Sequence, residues 1–229
     1  MSEADAKGSR LQISFDVQLR AKCPRAALGC VVAQVEVAPT SDSLLSELRN
    51  CQLGISSLAD PRSVLESAPI VATRVAYKSL GKDPARYRGS AEALIRRIIA
   101  GKGLPTINCV VDIINLVSVE SRLPIGLYDL AQVRSPLVFR VGRAGEAYKG
   151  IGKYDLNLEG LPVFCDQLGP HGSPTSDSQR TMVTDDSKNV LAIIISFSGG
   201  DRLEHWTTRM KDLFQLFAAG RDCATSIIE

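Results

Sequence analysis

Three stretches of the chain carry side chains whose types and spacing could do chemistry. In PTINCVVDIINLVSVES, Pro105 to Ser121, the polar residues Asn108, Asp112, Asn115 and Ser118 recur at intervals of four, three and three. That is the period of one helical face, whereas in a strand Asp112 and Asn115 would point to opposite sides. A helix that is apolar elsewhere is mostly buried, so its polar groups must find partners. They either tie down neighbouring backbone or, at Asn115 and Asp112, reach the floor of a ligand pocket. The second stretch, GPHGSPTSDSQR from Gly169 to Arg180, mixes turn formers with donors and acceptors just before a buried apolar run. A loop held by a rigid sheet is a common place for ligand contacts, with Asp177 and Ser178 as its candidates. His171 could serve as a base there, but a lone histidine in a Gly-Pro loop reads more plainly as incidental. The third stretch is basic. Between Arg74 and Gly103 eight Lys and Arg residues stand against Asp83 and Glu92, a local +6 in a chain of net charge +2. Arg86, Arg88, Arg96 and Arg97 are its candidates for phosphate contact, although a solvated helix face has the same composition.

Other chemistries lose ground. The six cysteines are scattered without a C-x-x-C pair, and only two histidines accompany them, so no metal site of familiar spacing can be written. The thiols are expected to be reduced and mostly buried. The phosphate-binding loop G-x-x-x-x-G-K-[ST], the G-x-S-x-G elbow and H-E-x-x-H are missing. Gly150-Ile151-Gly152 is not followed by a third glycine at the required place, so a dinucleotide fingerprint fails. No cofactor is expected. With 45% apolar and 23% charged residues the chain is ordinary globular material. No apolar run approaches the roughly 18 residues of a membrane span. Met1 to Arg10 is polar and lacks the apolar core of a secretory signal. A soluble, cytoplasmic protein without a membrane partner is the expectation.

The elements that must position these residues follow from periodicity. Leu11, Ile13, Phe15, Val17 and Leu19 alternate with polar residues and predict one strand, and Val31 to Val37 predicts a second. Helices are predicted over Ser41–Arg49, Pro69–Leu80 closed by Gly81, Ser90–Ala100, and the polar-striped segment above. Asp60-Pro61 reads as a cap with proline in the first turn. Strands are expected at Leu137–Val141, Leu161–Cys165 and Leu191–Phe197. A final helix carries Leu203, Trp206, Met210, Leu213, Phe214 and Phe217 on one stripe and ends near Gly220. Strands and helices without regular alternation argue α+β. The reading is a single domain over 1–229: a core of about 70–198 with mixed sheet and packed helices, strands and helices added over 10–69, and a helix at 201–219.

These runs carry a resemblance. INCVVDIINLVSVESRLPIGLYDLAQV, LVFRVGRAGEAYKGIGK and GLPVFCDQLGP follow one another as do the motifs of the tRNA-editing (B-three/B-four) domain of the phenylalanyl-tRNA synthetase beta chain. RYRGSAEALIRRI and GSPTSDSQRTMVTDDSKN resemble the free-standing members of that family, and the likeness spans about residues 70 to 198. It implies an α+β domain whose pocket, in the synthetase, receives the 3′ end of mischarged tRNA and hydrolyses the ester. Asn115 matches the helix asparagine, Tyr128-Asp129 the Phe-Asp of the turn, and Asp166 the aspartate after the later strand. The chain departs from the pattern at Gly126, where the synthetase has a pocket histidine. It departs again at Ile193, near a pocket glutamate, and at SPTSDSQRT, which replaces an Ala-Gly-x-Met-Gly-Gly loop. The 229 residues hold no synthetase core, so aminoacylation itself is not expected of them.

Ester hydrolysis needs an oriented water and donors for the developing oxyanion, but not a strong base. Asn115 and backbone N–H groups near Gly126 or Ser178 could supply donors, and Asp166 or Asp177 could take a substrate ammonium. The leading reading is a stand-alone editing-type domain that binds tRNA or its aminoacylated 3′ end, with or without deacylation. The alternatives are a non-catalytic binder of an amino acid or similar zwitterion, and an RNA-binding module with an idle pocket. In all three Asn115, Gly126, Tyr128, Asp166, Asp177 and Ser178 are the pocket candidates, and no catalytic residue or oligomeric state is assigned. Asn115, Gly126, Asp166 and Ser178 are expected to line one cavity. Gly126, in a turn beginning at Pro124, either supplies a backbone angle or leaves room for substrate.

Overall fold

Asp16 decides the first element. The computed structural model describes residues 11–152 and 155–229, so the polar start Met1–Arg10 lies outside the described residues. β1 (Ile13–Phe15) stops where the Asp16 carboxylate accepts the Gln18 N–H and opens α1 (Val17–Lys22). The predicted strand to Leu19 is therefore cut short by an N-cap. Val17 ends 81% exposed and Leu19 fully buried, which is helical rather than alternating behaviour. β2 (Ala27–Gln34) starts earlier than expected, and α2 (Asp42–Ser56), capped by Ser41, runs past its predicted end. After a 3-10 turn at Pro61–Glu66 come α3 (Ala68–Ser79), α4 (Ser90–Ile99) and α5 (Cys109–Ser121), close to where periodicity puts them.

The second half holds β3 (Ile125–Asp129), β4 (Leu137–Val141), β5 (Ala147–Lys149), β6 (Asp155–Asn157), β7 (Pro162–Asp166), β8 (Gly169–Gly172) and β9 (Asn189–Ser196). α6 (Leu203–Phe217) and β10 (Arg221–Ile228) close the chain. β3 occupies the segment read as a turn around Gly126, and β8 begins the segment read as a loop. β10 carries no pattern that announced it.

The fold is α+β. One sheet has the order β1-β4-β7-β8, with β1 parallel to β4 and the rest antiparallel. The other, β10-β2-β9-β3, is antiparallel throughout, and β5-β6 form a small hairpin. β9 is sandwiched. Its Val190, Ala192 and Ile194 pack with α5 and α6, while Leu191, Ile193 and Ile195 meet Phe139 and Phe164 of the other sheet. Burial on both faces explains why β9 reads as a continuous apolar run rather than an alternation. α5 is likewise buried on most sides.

Candidate functional site

Tyr128 organises the chemistry-bearing residues. It is fully buried in β3, with its hydroxyl in a slot between Gly126 of its own strand and Gly172 at the end of β8. A Cβ on Gly126 would lie 2.7 Å from Tyr128 Cζ, and one on Gly172 2.6 Å. Neither glycine has a positive φ, so close approach of the phenol, not a backbone angle, demands them. The room expected at Gly126 is filled by this ring. Directly across the ladder stands Ile193, also buried.

The Tyr128 hydroxyl donates to Asp177 Oδ1 at 3.1 Å, and the Leu127 N–H donates to Oδ2 at 3.0 Å. Burial pushes the Asp177 carboxyl up to about 7, against the stabilising pull of those donors. Burial, with Asp177 beside it, also carries the Tyr128 phenol well above its ordinary value. His171 stands edge-on to Tyr128, ring centres 4.7 Å apart and planes at 85°. Its two ring nitrogens and the Ser178 Oγ are buried without a hydrogen-bond partner among the described residues. Burial pushes His171 down to about 4, with Asp166 opposing and Arg180 adding to the shift. The Ser178 N–H donates to the His171 carbonyl at 2.9 Å, fastening the loop to β8.

Asp166, at the end of β7, is occupied. Arg180 grips it with two nitrogens, at 2.9 and 3.1 Å, and the backbone N–H groups of Arg134 and Leu168 each donate at 2.9 Å. Burial alone would raise its pKa, but the guanidinium and the two amides hold the carboxyl below its ordinary range. A carboxylate has about four acceptor sites, and these four bonds use them.

Asn115 stands apart on α5, half-buried and without a side-chain hydrogen bond among the described residues. Its companions on the polar stripe tie down the structure. Asn108 caps the helix by accepting the Val111 N–H at 3.0 Å, and Asp112 accepts from Thr40 Oγ1 at 2.6 Å and the Ile107 N–H at 3.1 Å. Ser118 donates to the Leu123 carbonyl at 2.8 Å. The structure thus gathers Gly126 and Asp177 around Tyr128, and His171, which the sequence reading set aside, packs on that ring and holds Ser178 through its carbonyl. Asp166 adjoins through Arg180. Nothing in one sequence marks His171 as a neighbour of Tyr128, because the two rings meet only once β3 and β8 are folded together. A cavity of about 670 Å³ opens elsewhere, between the two sheets, and none of the six pocket candidates lines it.

The basic segment divides. Glu92, nearly buried, takes Arg74 through two nitrogens at 3.0 Å and Arg96 at 2.8 Å, so Arg96 is largely neutralised. Burial opposes ionisation of Glu92, yet the two guanidinium groups hold its pKa down. Arg86, Arg88 and Arg97 are exposed, and Arg97 makes a long 3.3 Å bond to the Gly103 carbonyl. Lys82 and Arg86 lie over the Tyr87 ring, 4.7 and 5.7 Å from its centre.

Against known proteins, the model of the B3/4 domain family matches residues 72–208. Among solved structures, the chain is similar to an N-terminal fragment of the phenylalanyl-tRNA synthetase beta-subunit from Pyrococcus horikoshii. The two share 14% identity at a TM-score of 0.51, over all of this chain and 57% of that one. The chain thus spans little more than half the length of that fragment, and the likeness is one of fold. No curated protein sequence matches the chain.

Proposed function

The chain belongs to the B3/4 domain family, and on that footing we propose that it is an editing-type domain that binds tRNA at its aminoacylated 3′ end without cleaving the ester. The observation that carries the reading is the set of exposed cations Arg86, Arg88 and Arg97 inside the family-matched region, with Lys82 and Arg86 lying over the Tyr87 ring. The rest of the chain is slightly acidic, so phosphate attraction is concentrated there. Cations beside an aromatic ring suit single-stranded nucleotides, whose bases stack while the phosphates pair.

Binding is favoured over hydrolysis by the state of the pocket candidates. Tyr128 fills the space at Gly126, Ile193 is apolar, and Asp177 is held by its own neighbours. The zwitterion reading is weaker, because Asp166 is saturated by Arg180 and two amides and has no acceptor left for an ammonium group.

A panel of aminoacyl-tRNAs tests both halves of the proposal. The expected result is saturable binding that weakens steeply with salt, with no amino acid released above the uncatalysed rate. Ester loss from any member of the panel would restore the deacylase reading. Binding absent at low salt would remove tRNA altogether.

A further inference from the structure

The two sheets diverge on the side where β1 edges one and β10 edges the other, and the wedge between them is the 670 Å³ cavity. That volume falls within the range of small-molecule sites, roughly 300–1,000 Å³. Its floor is apolar: Cys30 and Val32 of β2, Ile13 of β1, and Val133. Ala224, Ser226 and Ile228 of β10 extend the same face, since Ala224 pairs with Val32 and Ser226 with Cys30. The polar lining includes Arg134, Ser135 and Gln167. Among the described residues lining the cavity, Arg134 carries the only charge.

Arg134 is placed with care. Its backbone N–H is fixed by Asp166 at 2.9 Å and its carbonyl accepts the Gln167 N–H at 3.1 Å. Its Nη1 donates to the carbonyls of Ala131 at 2.8 Å and Val133 at 3.2 Å. These bonds use Nη1 alone, so the Nε–Nη2 edge has no partner among the described residues, and such an edge can grip a carboxylate with two parallel bonds.

We propose that this cavity binds an amphipathic monocarboxylate, its apolar body between the sheets and its carboxylate on the Arg134 guanidinium. An amino acid is disfavoured because no acidic side chain lines the cavity to meet its ammonium group. The proposal does not depend on the tRNA reading, since none of Arg86, Arg88, Arg96 and Arg97 contributes to the lining.

The test is calorimetric titration of the intact protein with octanoate and, separately, with octanoate methyl ester. Octanoate is expected to bind saturably and at least tenfold more tightly than the ester. Arg134→Gln should remove that difference while leaving ester binding and the melting temperature unchanged. Ser226→Trp, on the exposed strand, should fill the wedge and abolish binding of both. The proposal fails if octanoate shows no saturable binding, or if Arg134→Gln leaves the preference for octanoate intact. It also fails if concentration-dependent dimerisation closes the wedge, since a second copy would then be the occupant.

Discussion

Tyr128 and Gly126 form a coupled pair that a double-mutant cycle can resolve. Gly126→Ala puts a methyl group against a phenol that is fully buried and cannot swing aside. Overpacking of this kind costs about 1–3 kcal/mol. Tyr128→Phe removes the nearest atom, so the double variant should be less destabilised than the two single losses sum to, as read by denaturant titration. Additive losses would show that the slot relaxes. Around the same ring two groups titrate in opposite senses. Native Asp177 keeps its proton to about pH 7, whereas the unfolded chain releases it near 3.8, so its stabilising contribution is complete below 3.8 and lost as pH rises. Native His171 refuses a proton until about pH 4, against 6.5 unfolded, so its contribution is complete above 6.5 and lost as pH falls. Between pH 4 and 6.5 the two slopes oppose each other. Asp177→Asn should make stability climb with pH relative to the parent, and His171→Phe should make it fall, each by up to about 1.4 kcal/mol per pH unit. Identical profiles for parent and variants would show that neither pKa is displaced. This opposition was not legible beforehand, because it exists only once β3, β8 and the 173–178 loop meet.

Among the elements, α4 shows how one helix carries two roles. Glu92 and Arg96 brace it against Arg74, while Arg97 on the next position faces solvent. Arg97→Ala should leave the melting temperature within about a degree and lower the slope of log affinity against log salt for tRNA by about one. Glu92→Ala should instead destabilise by about 1 kcal/mol, because it removes the shared carboxylate of two ion pairs whose guanidinium groups still reach water. Equal thermal effects from both variants would contradict this division of labour. The polar stripe that predicted α5 was legible because three of its four members are structural and so obey helical spacing. Alternation misled at β1, where one capping aspartate outweighed five apolar residues in register. β10 escaped because an exposed edge strand imposes no alternation: six of its eight residues are exposed, the other two only half-buried, and RDCATSII shows no period. Gly126 and Gly172 suggested turns for an equally physical reason, since a glycine needed for close packing looks the same as one needed for a bend.

At the scale of the whole molecule, the sheet order β10-β2-β9-β3 sets a strand from the start of the chain between two from its end. Removing β10 by ending the chain at Gly220 should expose the β2 edge, and β2 (ALGCVVAQ) has neither charge nor proline to discourage pairing with other molecules. The shortened protein is expected to scatter light on mild warming at concentrations where the full chain stays clear; equal clarity would assign β10 a minor role. The same order has a consequence for biosynthesis. β2 is made early, yet its pairing partners lie roughly 150 to 200 residues downstream. During translation α2 to α5 can form from local contacts while β2 waits outside any ladder. A growing polypeptide therefore carries an adhesive, unmatched segment for most of its time on the ribosome, and its yield in the cell should depend on whatever shields that segment until the last strand emerges.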